Sequence, residues 1–374
     1  MKVFFLLFIY ILFLPLNSFA EVKLSNYKDI EITKTNFELQ EISKGLNSPW
    51  GMTFLDDENF LITEKTGRLL KININTGIKT EINHELNVHT STRQGGLLDV
   101  LYHDGYVYFS YSHNIDKKFS STAIARGNLI KNSIKNLEVI FIANPKIKYS
   151  DVHFGSRITI KDNYLFASLG ERGKGMIAQN PSQHPGSIIR INLDGSIPKD
   201  NPKFKEKSKN NWLPEIFQIG VRNPQGMALS PFDNKIYLSN HGARGGDWFG
   251  TANYGENYGW KILGWGGTNY SGTKIGPKWK KGFTKPIKYW VPSIAVSAIS
   301  IYKGNEFKEW NGDALITSLK DKSLRKIKFE DTKLINEEVI FKGAIGRIRD
   351  IKIQKETGEI YLLSDDGSLW RMHK

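Results

Sequence analysis

Between Pro49 and Trp370 one local grammar returns six times, and this repetition limits the available folds more than any single motif. Each unit is a set of short apolar runs broken by glycine, asparagine or aspartate. The first reads Pro49-Trp50-Gly51-Met52-Thr53-Phe54, then Asn59-Phe60-Leu61-Ile62-Thr63-Glu64, then Gly67-Arg68-Leu69-Leu70-Lys71-Ile72. Later units open at Gly95, Gly155, Pro224, Val296 and Arg349. Short runs rich in Ile, Val, Tyr and Phe between turn formers are strands. Unit starts lie roughly 45 to 70 residues apart, and strand repeats of about 40 to 50 residues mark propeller blades. The expected fold is therefore all-β: a six-bladed β-propeller with four-stranded antiparallel blades. The chain ends on a strand at Trp370, and the strand near Phe37 to Ile42 has no blade of its own. The N-terminal strand is expected to complete the last blade and close the ring, which removes exposed sheet edges. A stack of two β sandwiches is the competing fold. Extra length falls at 172–185, 197–214 and 241–290, where loops on a rigid scaffold would build a binding surface.

The N-terminus points to export. Met1-Lys2 precedes an apolar run, Val3 to Leu16, and then Asn17-Ser18-Phe19-Ala20. This is the pattern of a cleaved signal peptide, residues 1–20, cut after Ala20. The run is short for a bilayer span and is followed by small residues, so a membrane anchor is the poorer reading. Residues 21–374 are expected to form one domain in the periplasm. There is no cysteine, so an exported domain must rely on its core and on closure of its fold. Lys and Arg number 52 against 38 Asp and Glu, a net charge of +14. The excess is scattered. Its densest run, Lys203, Lys205, Lys207 and Lys209, reads as a solvated loop and not as a nucleic-acid patch. Diffuse basicity still favours anionic ligands over cationic ones.

The most reactive-looking stretch is Ser150-Asp151-Val152-His153-Phe154-Gly155-Ser156-Arg157. It is followed, after the apolar run Ile158 to Leu169, by Gly170-Glu171-Arg172-Gly173. If His153 and Glu171 meet, the carboxylate orients the imidazole and makes it a better general base. The alternative is a surface histidine and an exposed glutamate. Elsewhere, Gln94 precedes Gly95-Gly96, and Arg222-Asn223 precedes the turn residue Pro224. Asn240-His241-Gly242-Ala243-Arg244-Gly245-Gly246-Asp247 is a glycine-rich loop after a strand. Glycine there lets carbonyls turn towards one point, which suits calcium, although a tight turn reads the same way. Lys320, Arg347 and Arg349 add three cations. On a strand Arg347 and Arg349 face the same side, and two guanidiniums there repel unless an anion lies between them. The aromatic stretch Trp260 to Trp279, with Trp265 and Tyr270, suits stacking on a sugar or packing between blades.

Taken in order, Gln94-Gly95-Gly96-Leu97-Leu98, His153-Phe154-Gly155-Ser156-Arg157, Arg222-Asn223-Pro224-Gln225-Gly226, Asn257-Tyr258-Gly259-Trp260, Ser318-Leu319-Lys320 and Arg347-x-Arg349-Asp350 resemble the soluble quinoprotein glucose and aldose sugar dehydrogenases. The resemblance implies a six-bladed propeller holding pyrroloquinoline quinone (PQQ) and calcium, and oxidation of the C1 hydroxyl of aldoses to lactones. It implies that His153 accepts the anomeric proton while hydride leaves C1, and that Glu171 orients His153. It implies that Arg222, Lys320, Arg347 and Arg349 neutralise the cofactor's carboxylates and reduced oxygens. Gln94 and Asn223 would hydrogen-bond the quinone side, and the carbonyls of Gly242 and Ala243 would hold calcium. Such a cofactor carries the oxidising chemistry, and the ion polarises its carbonyl. An aldose, an external electron acceptor, and a monomer or homodimer follow as expected partners. The sequence departs from the family pattern at His241 and Trp248, where acidic residues are common, and at Ala243, where proline is. Trp248 argues against a second, structural calcium site. Two other readings stay open: a non-catalytic carbohydrate- or protein-binding propeller, and a calcium-dependent lactonase. The same scaffold hosts unrelated functions.

Overall fold

The computed structural model describes residues 31–374 apart from 34, 91–92, 115–118, 149 and 203–211. The signal-peptide segment and the Lys203 to Lys209 run lie outside the described residues. The fold is the six-bladed β-propeller that the repeat predicts, with four antiparallel strands forming the body of every blade. The innermost strands are Pro49–Phe54, Leu97–His103, Gly155–Lys161, Pro224–Leu229, Val296–Ile301 and Ile348–Ile353. They begin where the six sequence units begin.

Ring closure follows the expected route. Glu38–Ser43 pairs antiparallel with the C-terminal strand Ser368–His373 and supplies the outermost strand of the last blade. Two additions widen the sheets. Glu31–Ile32, within the 21–44 segment whose alternation reads as one or two strands, runs parallel to Lys333–Lys342 on the fifth blade, a pairing the sequence does not show, and Ile147–Lys148 pairs onto Phe119–Ile130 in the second. The outer strands were the hardest to read because they alternate poorly. Lys79–Ile82 has one buried residue, Ile82, whereas Pro49–Phe54 is buried along nearly all its length.

The core is distributed between neighbouring blades. Leu61, Leu97, Val107 and Phe109 join the first two, and Tyr361, Leu363, Phe60 and Met52 join the last to the first. Each interface buries apolar side chains at about 25 cal/mol per Å² removed from water. The centre of the ring is ionic. The guanidinium of Arg157, 2% exposed, lies 2.8 Å from Asp99 and 3.0 Å from Asp350, and stacks 4.4 Å over Trp50. Its Nε also donates to the Gln225 carbonyl. Burial raises Asp99 above the ordinary aspartate range. Asp350 feels the same burial, but Arg157 and Lys352 outweigh it and hold that carboxyl low. The central strands of four blades are thus tied together at the axis.

Candidate active site

The strand hairpin that carries His153 and Glu171 determines whether they meet. Gly155 pairs with Leu169, and the same antiparallel register continued outward sets position 153 against 171. Two glycines let the backbones approach. A Cβ on Gly170 would lie 2.0 Å from the His153 carbonyl oxygen, and Gly155 has φ +68° with a built Cβ 2.6 Å from the Gly170 nitrogen. His153 itself sits in the left-handed region at φ 52°, which costs a non-glycine residue of order 1 kcal/mol or more.

The outcome is a tight acid–base pair. His153 Nδ1 lies 2.5 Å from Glu171 Oε1, and the Gly175 N–H donates to Glu171 Oε2 at 2.5 Å. Both carboxylate oxygens are therefore committed. Burial pushes Glu171 upward, but the hydrogen bonds from His153 and Gly175 outweigh it and hold its carboxyl below the ordinary glutamate range. Burial lowers the imidazole; the Glu171 hydrogen bond opposes this and Arg222 reinforces it, leaving His153 below its ordinary value. An ionised Glu171 and a neutral His153 assign the ring proton to Nδ1. Nε2 remains an acceptor with no hydrogen-bond partner among the described residues. This is the state a general base requires.

His153 opens on two adjoining cavities. The first, about 390 Å³, is lined by Gln94, Arg222, Asn223, Arg347 and Arg349 together with His153. The second, about 470 Å³, is lined by His153, Glu171, Ala243 and Trp260 among others. A third, about 730 Å³, holds Gly242, Ala243 and Lys320 and shares His241 with the first. Every candidate catalytic, cofactor-binding and calcium-binding residue thus lines one of these three adjoining spaces.

The polar groups differ in what they still offer. Gln94 Oε1 accepts the His153 N–H at 2.8 Å, and Asn223 Oδ1 accepts the Gly155 N–H at 3.0 Å. Each amide oxygen is spent on holding the His153 hairpin, which leaves the NH2 groups as donors. The two arginines of the last blade share an internal anion. Arg349 makes two bonds to Asp365 at 2.8 Å, and Arg347 donates to the same carboxylate at 3.0 Å. Asp365 is the counter-ion that the paired arginines called for, and Arg349 also donates to Gln225. Arg222 is different. It is 5% exposed and forms no ion pair among the described residues, although its charge is felt by Glu171. Its contacts are a 3.5 Å bond to the His241 carbonyl and the face of Trp260 at 5.4 Å. Lys320 is exposed and also lacks a carboxylate partner among the described residues.

The 241–247 loop is braced by a residue not assigned from sequence. Buried Asp247 accepts Gly242 N–H at 2.7 Å through one oxygen, and Ser293 and Ala295 at 2.7 Å through the other. Gly242 and Ala243 are buried, and no described group donates to either carbonyl. His241 Nε2 is a buried nitrogen without a partner. Burial, with Arg222 and Arg349 nearby, drives that imidazole well below its ordinary value, so it is neutral. Among the aromatics, Trp265 is buried packing, whereas Tyr270 is 73% exposed and lines all three cavities. Trp248 stacks on Tyr258 at 4.0 Å and belongs to the core. The reading also missed Lys65 and Asp365, which follow the ends of strands in their blades. Ring position is their only signal.

A family profile described as glucose/sorbosone dehydrogenase matches residues 46–371. The chain belongs to that family. It is 34% identical over 336 residues to the aldose sugar dehydrogenase YliI of Escherichia coli, covering 86% of this chain and 88% of that one. The solved structure of the soluble aldose sugar dehydrogenase from Escherichia coli in its apo form superimposes with a TM-score of 0.82 at 31% identity, covering 90% of this family member and 99% of that chain. Quinoprotein glucose dehydrogenase B of Acinetobacter calcoaceticus is 26% identical over 435 residues, covering 94% of this chain and 90% of that one. Family membership makes the chain a sugar-dehydrogenase-type oxidoreductase.

Proposed function

We propose that this chain oxidises the C1 hydroxyl of aldose sugars to lactones, using PQQ and calcium. The observation that carries the reading is Arg222. A buried guanidinium with no carboxylate in ion-pair contact among the described residues, beside a neutral, carboxylate-oriented histidine, is a site built for an anion next to a base. The relatives named as quinoprotein and aldose sugar dehydrogenases support the same assignment.

The residues present fit both groups. Arg222 and Lys320, unpaired among the described residues, offer cations to the cofactor's carboxylates, and Arg347 and Arg349 line the same cavity as Arg222. The free NH2 groups of Gln94 and Asn223 suit quinone oxygens. The donor-free carbonyls of Gly242 and Ala243 suit calcium, a hard cation that takes oxygen ligands. When bound, these groups supply a two-electron oxidant that accepts hydride at a polarised carbonyl. The chain's own contribution is proton transfer and placement. Nε2 of His153 takes the proton of the anomeric hydroxyl, and Glu171 holds the ring and stabilises the imidazolium that forms. Gln94 fixes the backbone on which the ring stands.

Export by the signal peptide would place the reaction in the periplasm, with an external acceptor removing the electrons. No helix among the described residues is long and apolar enough to cross a membrane. The lactonase reading is weakened because the two axial carboxylates, Asp99 and Asp350, are already paired, both with Arg157 and Asp350 also with Lys352. The test is reconstitution of the purified chain with calcium and PQQ, followed by dye reduction with a panel of aldoses. Reduction with an aldose, and quinone absorbance that survives gel filtration, are expected. Absence of both with every sugar overturns the proposal.

A further inference from the structure

Charge is distributed unevenly around the second cavity. From Asn257 to Trp290 the sequence contains seven lysines and no aspartate or glutamate. Trp260, Lys261, Asn269 and Tyr270 of this stretch line the cavity that His153 and Glu171 share. Lys261, Arg93 and Arg222 line the cavity, and the one carboxylate there, Glu171, has both oxygens bound to His153 and Gly175. Lys261 is half-buried and makes no ion pair among the described residues. Its position is fixed close to the base: a Cβ on Gly175 would lie 2.9 Å from Lys261 Cδ, and the Gly175 N–H is itself a donor to Glu171. Lys261 lines the second cavity and not the first, whereas Lys65, Arg347 and Arg349 line the first and not the second. The lysine is therefore set apart from Lys65, Arg347 and Arg349, while Arg93 and Arg222 line both cavities.

We infer that the preferred substrate is an aldose bearing an anionic group remote from C1, a carboxylate or a phosphate monoester, read by Lys261 with Arg93. A half-buried lysine without a counter-ion among the described residues gains most from a ligand that brings one, and charged hydrogen bonds exceed neutral ones in strength. The remaining lysines of the 257–290 stretch add positive charge near the cavity, which raises the local concentration of such anions. This inference rests on the sugar-oxidising reading above and goes beyond it in the substrate class.

The experiment compares D-glucose, D-glucuronate, D-galacturonate and glucose 6-phosphate on the reconstituted enzyme, with calorimetric binding of the same sugars measured alongside at low and high salt. The expected result is a kcat/KM at least about tenfold higher for a uronate or the sugar phosphate than for glucose, lost in Lys261→Gln. The uronates and the phosphate ester separate the two sources of the anion. Lys285→Gln, exposed in the same stretch but outside the cavity, leaves the preference intact. Equal or better use of glucose overturns the inference while leaving sugar oxidation standing. If no sugar is oxidised, the binding data decide. Salt-sensitive, Lys261-dependent binding of an anionic sugar sustains the inference, and equal binding of neutral and anionic sugars ends it.

Discussion

Nδ1 of His153 and Oε1 of Glu171 lie 2.5 Å apart although 18 residues separate them in the chain. A single hairpin register, Gly155 against Leu169, sets the two positions opposite each other, and Gly155 and Gly170 let the turns close. The carboxylate fixes the tautomer, so Nε2 faces the cavity as an acceptor.

Replacing His153 separates chemistry from binding. His153→Ala is expected to lower turnover by about 10² to 10⁴-fold, the usual worth of a general base, while quinone is retained after gel filtration. Turnover equal to the parent enzyme removes His153 from the base role.

The pH profile tests Glu171. Neutral His153 is the active form and its pKa is lowered, so kcat/KM should be full through the ordinary imidazole range and fall only below it. The Glu171 hydrogen bond and charge raise that pKa. In Glu171→Gln the acid limb therefore moves to still lower pH, and kcat drops because the ring is held less firmly. An acid limb that stays in place, or moves up, contradicts the assignment.

The arginines should rank by whether they already own a counter-ion. Arg222→Gln removes an unpaired buried cation and should weaken quinone binding by about 10 to 100-fold, the worth of a charged hydrogen bond. Arg347→Ala should cost less, because Arg347 is 44% exposed and shares Asp365 with Arg349. Titration of quinone absorbance against each variant gives the order, and a larger loss for Arg347→Ala reverses it.

At the axis, Arg157→Ala leaves Asp99 and Asp350 buried without their shared cation. Loss of about 3 to 5 kcal/mol of stability is expected in denaturant unfolding. Replacing all three charges, as Arg157→Met with Asp99→Asn and Asp350→Asn, should recover part of it. A triple variant no better than Arg157→Ala argues against uncompensated charge as the cause.

Deleting the chain through Ser43 removes the strand Glu38–Ser43 and exposes the edge of Ser368–His373. Lower thermal stability and self-association are expected, read by calorimetry and light scattering. Unchanged thermal stability and association state would show that the ring does not depend on this closure.

The sequence by itself determined the repeat, and with it the blade number and the inner strands, because buried strands carry apolar runs that turn residues punctuate. It also marked the N-terminal strand as left over, and family motifs marked the residues around the cavities. Tertiary structure decided what each of those groups can still do. Sequence marked Arg222 and Arg349 alike, yet Arg349 is held by Asp365 while Arg222 is left without a carboxylate. Trp265 and Tyr270 were equivalent as aromatics until packing buried one and exposed the other. Lys261 gained meaning only from its neighbours: a glycine beneath its stem and a carboxylate already engaged elsewhere. Free valence depends on partners brought from distant blades, and no local pattern records which partner arrives.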